Sequence, residues 1–278
     1  MDQAISVNGK EGCAELISFV PKLSLKDIHL PKNSRFIIAN SMFLSSKCIT
    51  ADGCYNKRVV ECRLAVGVMA KALGIPNWET IKTLRNFQEI SGKSLEEMPE
   101  LVKSLLCPTP YTLDKIVSIL ELPESKIREL YFVRPVTVTT FDLYSRAMHC
   151  YTESLRVIHF ADVCESKTSE DEAAKIVELG RLMVQSHESC RDLYECSHPG
   201  VDKIVEIALK NGAAGARITG AGWGGSAIAL ADGDENAERV MNALKREYYE
   251  NPPCGAESGI KLPLFATKPC KGASIENI

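Results

Sequence analysis

The chain has 278 residues, 45% of them hydrophobic, and a formal net charge of −3 from 33 basic and 36 acidic residues. This composition is typical of a globular protein with a substantial core, and the mixed charge signs argue against a nucleic-acid partner. The longest apolar runs fall well short of the roughly 18 residues of a membrane span, and the polar start MDQAISVNGKEG differs from a secretory signal, so we expect a cytoplasmic protein without a membrane partner.

The first predicted elements are strands joined by turns. Short apolar segments separated by Gly, Pro and Asn occur at 4–7 (AISV), 14–20 (AELISFV) and 35–41 (RFIIANS). The period then changes, because apolar residues recur at helical spacing through residues 57–74 before Gly74 and Pro76. We predict a long helix there.

The middle of the chain is predicted to be mostly helical, and the last third is mixed. Apolar periodicity indicates helices within 111–122, 140–165, 171–195, 201–211 and 235–250, and strands at 216–219, 226–232 and 261–268. We therefore predict an α+β fold with a helical layer on a mostly antiparallel sheet. The composition favours a boundary between Ser41 and Tyr55.

The 11 cysteines are an odd number and include no C-x-x-C pair, which is not the pattern of a disulfide-stabilised secreted domain. Most are predicted to be buried thiols. The densest group is formed by Cys48, Cys54 and Cys62, but no histidine accompanies it at metal-ligand spacing. We predict no metal site in this group.

The segment ITGAGWGGSAIAL contains four glycines in six positions: Gly220, Gly222, Gly224 and Gly225. A dinucleotide fingerprint or a P-loop needs a strand before its glycines and a helix after them. Here strand-like segments lie on both sides, and no lysine follows the glycines. The residues alone predict a strand-to-strand connection in which glycine permits positive φ and close approach of a backbone or a ligand.

The amino-acid sequences of several segments resemble motifs of one protein family. ARITGAGWGGSAIAL resembles the third motif of the GHMP small-molecule kinases, and the preceding SHESCRDLYECSHPGVDKIVEIALKNGAAG is similar to their galactokinase and N-acetylgalactosamine kinase branch. MDQAIS, LYSRAMHCYTESLRV and KLPLFATKP resemble further segments of these kinases, so the resemblance extends from residue 1 to about residue 269. It implies a GHMP-kinase-like fold, with residues 1–50 as a remnant of the amino-terminal β-rich domain and residues 51–278 as the carboxy-terminal domain.

The resemblance also implies an activity, the transfer of the terminal phosphoryl group of ATP to the anomeric hydroxyl of galactose or N-acetylgalactosamine. Asp2 is then the catalytic carboxylate, and Tyr55 contacts the sugar. Gly220, Gly222, Gly224 and Gly225 border the nucleotide, and the hydroxyls of Thr219 and Ser226 either face that region or satisfy the turn backbone. The substrates are a small sugar and ATP, and the full-length protein is expected to be a monomer.

Four other polar residues are predicted to be structural. His149 and His187 lie within helical patterns, and we expect packed or hydrogen-bonded side chains there. Glu195 and Asp202 flank a Ser-His-Pro-Gly helix start, where we expect capping or surface roles.

Two parts of the family pattern have no counterpart in this sequence: an amino-terminal signature that binds the sugar hydroxyls, and a Gly-Leu-Ser-Ser-Ser loop that cradles the ATP phosphates and helps to place Mg²⁺. We expect the main phosphate and metal groups in that missing part. We also expect that the chain alone cannot phosphorylate sugar at a useful rate. The alternatives are a galactose- and ATP-binding sensor without efficient turnover and a truncated product without activity.

Overall fold

The structure, a computed structural model, describes residues 2–44, 52–166, 171–257 and 263–273, with only the backbone at Asp2. It divides into two compact units. The sheet unit comprises Met1–Leu44, Val157–His187 and Ser197–Ile278, and the helical unit comprises Ser45–Arg156 and Glu188–Cys196. The division into residues 1–50 and 51–278 stays a prediction.

The two units contain short strands and helices of very different length, up to 23 residues in Leu143–Glu165. The strands are β1 (Cys13–Ser18), β2 (Ser24–His29), β3 (Ser34–Asn40), β4 (Tyr111–Thr112), β5 (Thr140–Phe141), β6 (Gly215–Thr219), β7 (Ser226–Asp232) and β8 (Leu264–Thr267). The helices are α1 (Asp2–Asn8), α2 (Lys57–Ala72), α3 (Leu84–Ser91), α4 (Met98–Leu105), α5 (Leu113–Leu120), α6 (Glu124–Tyr131), α7 (Leu143–Glu165), α8 (Glu172–Glu188), α9 (Pro199–Lys210) and α10 (Gly233–Leu244).

The sheet unit is organised around a four-stranded antiparallel sheet with the order β6-β7-β3-β8. Buried and partly exposed residues alternate along the first part of β7, as expected for a sheet with one covered face. The helices α9 and α10 lie side by side against the sheet. A separate antiparallel pair, β1 and β2, contributes Ile28 to a core shared with α8 and the end of α7. The predicted helical layer on an antiparallel sheet is confirmed.

The predicted strand at residues 4–7 is wrong, because this segment is part of α1. Four apolar residues are too few to separate the period of a strand from that of a helix. Backbone contacts from a distant part of the chain accompany the helix: Gly272 N–H donates to Gly9 C=O and Ala273 N–H donates to Ser6 C=O, at 2.6 and 2.8 Å.

The helical unit is organised around α2. Val60, Leu64 and Met69 are fully buried, and α3, α4, α5 and α6 pack around them. Capping residues define both ends of α3. The Thr83 side chain caps its start by accepting from Asn86 N–H, and Gly92 ends it in the left-handed conformation. None of the helices in the described ranges combines the length and apolarity that a membrane span requires.

Candidate functional site

Residues 220–225, which we call the glycine loop, connect β6 to β7. Thr219 and Ser226 pair across its base. All four glycines have positive φ, from 78° at Gly225 to 123° at Gly224, and Trp223 adopts 55°. Glycine is the residue that enters this region without a steric penalty. The predicted strand-to-strand connection is therefore confirmed.

One side of the glycine loop packs against the backbone that follows β3. Gly225 N–H donates to Phe43 C=O at 2.9 Å, and Ser41 N–H donates to Gly225 C=O at 2.8 Å. A Cβ at Gly224 would lie 2.6 Å from the Phe43 carbonyl oxygen. A Cβ at Gly220 or Gly225 would meet nothing within 4 Å. The loop is thus fixed on one side, with free space beside Gly220 and Gly225 for a ligand to approach the backbone.

His187 supports the strand that leads into this loop. The side chain is 3% exposed, its Nδ1 accepts from Ile218 N–H at 3.3 Å, and its Nε2 lies 3.3 Å from Asp202 Oδ1. A ring nitrogen that accepts from a backbone N–H carries no proton, so the hydrogen lies on Nε2, facing Asp202. The predicted structural role of His187 is confirmed.

The capping role predicted for Asp202 is wrong. His198 caps α9, because its Nδ1 accepts from Gly200 N–H at 3.1 Å. Asp202 instead accepts from the Ser197 hydroxyl at 2.5 Å and faces His187. These contacts link the start of α9 to the end of α8 beside β6.

The surface position predicted for Glu195 is confirmed, because its side chain is 52% exposed, and one of its oxygens also joins an ion network whose other members are buried in the helical unit. Glu61 and Arg146 are both fully buried, and Arg146 Nε donates to Glu61 Oε2 at 2.8 Å. Glu195 Oε2 accepts from Arg146 Nη2 at 2.7 Å and from Arg58 Nη2 at 3.0 Å. Burial acts to lower the pKa of Arg146, but the attraction of Glu61 raises that pKa above its ordinary value, so the guanidinium stays charged.

His149 lies beside this network and has the structural role that the sequence predicts. Its Nδ1 is 2.9 Å from Ser189 Oγ, and its ring stacks on Tyr194 with centroids 4.5 Å apart. Burial raises the pKa of Tyr194 well above its usual range. The network and this stack together anchor residues 188–196 to α2 and α7.

Comparison with known proteins identifies the family. Residues 171–251 match the family model described as GHMP kinases C terminal. Galactokinases of Dictyostelium discoideum and Saccharomyces cerevisiae are 36% and 33% identical to the chain over 293 and 310 residues, and each alignment covers 99% of the chain. The chain belongs to the GHMP kinase family, in its galactokinase branch.

The GHMP kinase match has a defined extent. The chain spans 58% and 59% of the length of these two relatives. The crystal structure of Lactococcus lactis galactokinase complexed with galactose superposes on 96% of this chain and 53% of its own, with a TM-score of 0.56 and 21% identity. This likeness confirms the predicted GHMP-kinase-like α+β fold.

Tyr55 lies in the helical unit of this GHMP kinase chain, on the wide helical turn Asp52–Asn56 before α2. Two neighbours anchor the turn: Asp52 Oδ1 accepts from Thr137 N–H at 2.8 Å, and Asn56 Nδ2 donates to Pro135 C=O at 3.2 Å. The Tyr55 side chain is 48% exposed. It is therefore held at its base and open to solvent, and its role in sugar contact stays a prediction.

Asp2 begins α1 in the sheet unit, and its side chain lies outside the described residues. Cys48, one of the three clustered cysteines, also lies outside them. Within the described ranges, no group of three or more His, Cys, Asp or Glu side chains is arranged to hold a metal ion. The catalytic role of Asp2 stays a prediction.

Sequence reasoning missed the ion network of Arg58, Glu61, Arg146 and Glu195. One signal was available, because Arg58 and Glu61 interrupt the apolar period of α2 on nearly the same face. The partner residues are far away in sequence, with Arg146 85 positions from Glu61. The pairing therefore could not be read from the pattern.

Proposed function

We propose that the chain is the carboxy-terminal portion of a sugar kinase that transfers the terminal phosphoryl group of ATP to the anomeric hydroxyl of galactose or N-acetylgalactosamine. The observation that carries the proposal is the alignment with galactokinases over 99% of the chain. Because the chain covers little more than half of those relatives, the activity belongs to the proposed whole protein.

The proposed role of the glycine loop is to border the nucleotide. Its geometry supports this role, because contacts to Phe43 and Ser41 fix one side and a Cβ at Gly220 or Gly225 would enter free space. Glycine at such positions lets a ligand approach the backbone more closely than a side chain would permit. In this proposal the role of His187 is to fix the position of β6, the strand before the glycine loop, by accepting a hydrogen bond from Ile218 N–H.

The proposed role of Asp2 is to orient the anomeric hydroxyl and accept its proton. A carboxylate with an ordinary pKa of about 4 is a weak base toward a sugar hydroxyl, so proton transfer is late or concerted with phosphoryl transfer. Phosphoryl transfer depends mainly on positioning and charge stabilisation, to which general-base help adds about 10²- to 10⁴-fold in rate. We expect orientation to be a large part of the contribution of Asp2.

The proposed role of Tyr55 is contact with the sugar. An exposed aromatic ring on an anchored turn offers an apolar face and a hydroxyl at little entropic cost, since the turn is already ordered by Asp52 and Asn56. Replacing Tyr55 by Phe removes only the hydroxyl, and replacing it by Ala removes the face as well.

ATP is the proposed phosphoryl donor, with Mg²⁺. The metal neutralises charge that develops on the transferring group. The described residues provide no acidic cluster for it, and we assign it no ligand in this chain. The cytoplasmic location and the monomeric full-length state also remain predictions.

The experiment is a radiolabelled transfer assay with purified chain, ATP and either sugar. We expect sugar 1-phosphate formation to be low and to disappear in Asp2→Asn, while the control variant Asp114→Asn, in the first turn of α5, leaves it unchanged. Product formation that persists in Asp2→Asn contradicts the role of this carboxylate. Product formation no higher than in a blank without protein contradicts the activity that we expect to detect in this chain.

A further inference from the structure

Two cysteines of the helical unit lie in contact although they are 88 positions apart in sequence. Cys62 on α2 and Cys150 on α7 have their Sγ atoms 3.9 Å apart, within hydrogen-bonding distance for sulfur. Both residues are intermediate in exposure, between the core and the surface of the helical unit. A disulfide requires an S–S distance of about 2.05 Å, so the two sulfur atoms must come closer before a bond forms.

The packing around the pair holds the two helices in place. Glu61, which immediately precedes Cys62, is bonded to Arg146, which lies one helical turn before Cys150, at 2.8 Å. Both of these charged side chains are fully buried. Because this ion pair fixes α2 against α7, the two sulfur atoms stay close in the folded protein.

The two thiols differ in acidity. The hydrogen bond with Cys62 lowers the pKa of Cys150, although burial acts in the opposite direction. The same hydrogen bond, together with burial, raises the pKa of Cys62. Since the thiolate is the reactive form of cysteine, Cys150 is the sulfur that reacts first and Cys62 is the neighbour that resolves the product.

We propose that Cys62 and Cys150 form a site of reversible oxidation by hydroperoxides, whose product is a disulfide that joins α2 to α7. The Cys150 thiolate attacks one peroxide oxygen, the O–O bond breaks, and Cys150 becomes a sulfenic acid as hydroxide leaves. The Cys62 sulfur then attacks the Cys150 sulfur, the S–O bond breaks, and the departing hydroxide takes up the Cys62 proton. Two thiols and one hydrogen peroxide give one disulfide and two waters.

The first test treats the folded chain with hydrogen peroxide, blocks the remaining thiols with N-ethylmaleimide, and maps tryptic peptides without reduction. The expected result is a species linking residues 59–63 to residues 147–156 that dithiothreitol separates. The exposed Cys107 serves as an internal control of oxidant exposure, and Cys107→Ser should leave the crosslink unchanged. Oxidation of Cys107 while Cys62 and Cys150 are both recovered as maleimide adducts, with circular dichroism unchanged, overturns the proposal.

The second test separates the roles of the two sulfurs. In Cys62→Ser the sulfenic acid on Cys150 has no resolving partner, so dimedone labelling of Cys150 should rise several-fold over the wild type. In Cys150→Ser the remaining Cys62 should label slowly. Equal labelling of the two single variants overturns the assignment of Cys150 as the reactive thiol, because the hydrogen bond would then give neither sulfur an advantage.

Discussion

At Gly224 both the backbone conformation and the packing of the glycine loop disfavour a side chain. Its φ is 123°, and an added Cβ would lie 2.6 Å from Phe43 C=O. Gly225 also has positive φ, but its Cβ would meet nothing within 4 Å. The two neighbours therefore separate the cost of backbone strain from the cost of collision.

We expect Gly224→Ala to lower the free energy of unfolding by about 3 kcal/mol, and the control Gly225→Ala by about 1 kcal/mol, since only the first adds a steric clash to the strain. Urea unfolding followed by the fluorescence of Trp223, in a Trp78→Phe background, measures both. Equal losses in the two variants would show that the contact with Phe43 is not tight.

Glu61 is the second residue with a large expected effect. It is fully buried and accepts from Arg58, from Arg146 and from Asp142 N–H. Removing one charge from a buried ion group leaves the other charges without compensation, so Glu61→Gln should cost about 3 kcal/mol. The matched control is Glu89→Gln in an exposed pair with Arg85, for which we expect about 0.3 kcal/mol.

The fluorescence of Trp78 in a Trp223→Phe background follows unfolding of the helical unit in both variants. A loss below about 1 kcal/mol for Glu61→Gln would mean that the network is already solvated, and the anchoring role assigned to it for residues 188–196 would be wrong.

At the scale of elements, the packing of α2 against α6 depends on one glycine in a helix interior. A Cβ at Gly67 would lie 2.4 Å from the Tyr131 hydroxyl oxygen, and the Tyr131 side chain is fully buried. Alanine would gain about 1 kcal/mol in helix propensity, but overpacking a core costs about 1–3 kcal/mol, so the collision should dominate.

We therefore expect Gly67→Ala to lower the free energy of unfolding by up to about 2 kcal/mol. Tyr131→Phe removes a buried hydroxyl that has no hydrogen-bond partner among the described residues, and it should restore part of the loss in the double variant. Denaturation curves of the two single variants and the double variant test this. Stabilisation by Gly67→Ala alone would contradict the tight contact.

The elements that sequence patterns predicted are those with a clear period or a clear stop. α2, α5, α9 and the strands β3, β6 and β7 have regular apolar spacing and end at Gly, Pro or polar turns. β2 was missed because SLKDIH is mostly polar. The helices α3, α4 and α6 were missed because each has fewer apolar residues than α5, which is equally short. Residues 4–7 of α1 were predicted as a strand, because the local sequence contains no sign of the backbone contacts that this region makes with residues 272 and 273.

At the scale of the whole molecule, the part of the candidate site that lies within one continuous segment could be predicted from the sequence. The glycine loop could be located from its residues, since four closely spaced glycines between two strands demand a positive-φ connection. The support by His187, Asp202 and Ser197 could not, because it joins three elements through side chains. Likewise, no local pattern indicates that Glu195 pairs with Arg58, 137 positions away.

The central claim is that the glycine loop of this GHMP kinase chain borders a nucleotide, and the direct test is the change in melting temperature on adding ATP with Mg²⁺. A ligand that binds only the folded state stabilises it by about 2.7 kcal/mol at roughly 100 times its Kd. Gly220→Ala places a methyl group in the free space beside the loop, and Gly74→Ala is its matched control, since φ is positive and the space is open at both positions.

The account predicts that ATP raises the melting temperature of the wild type and of Gly74→Ala by several degrees, and that the rise is largely lost in Gly220→Ala. No rise in the wild type, or an equal rise in Gly220→Ala, would contradict it.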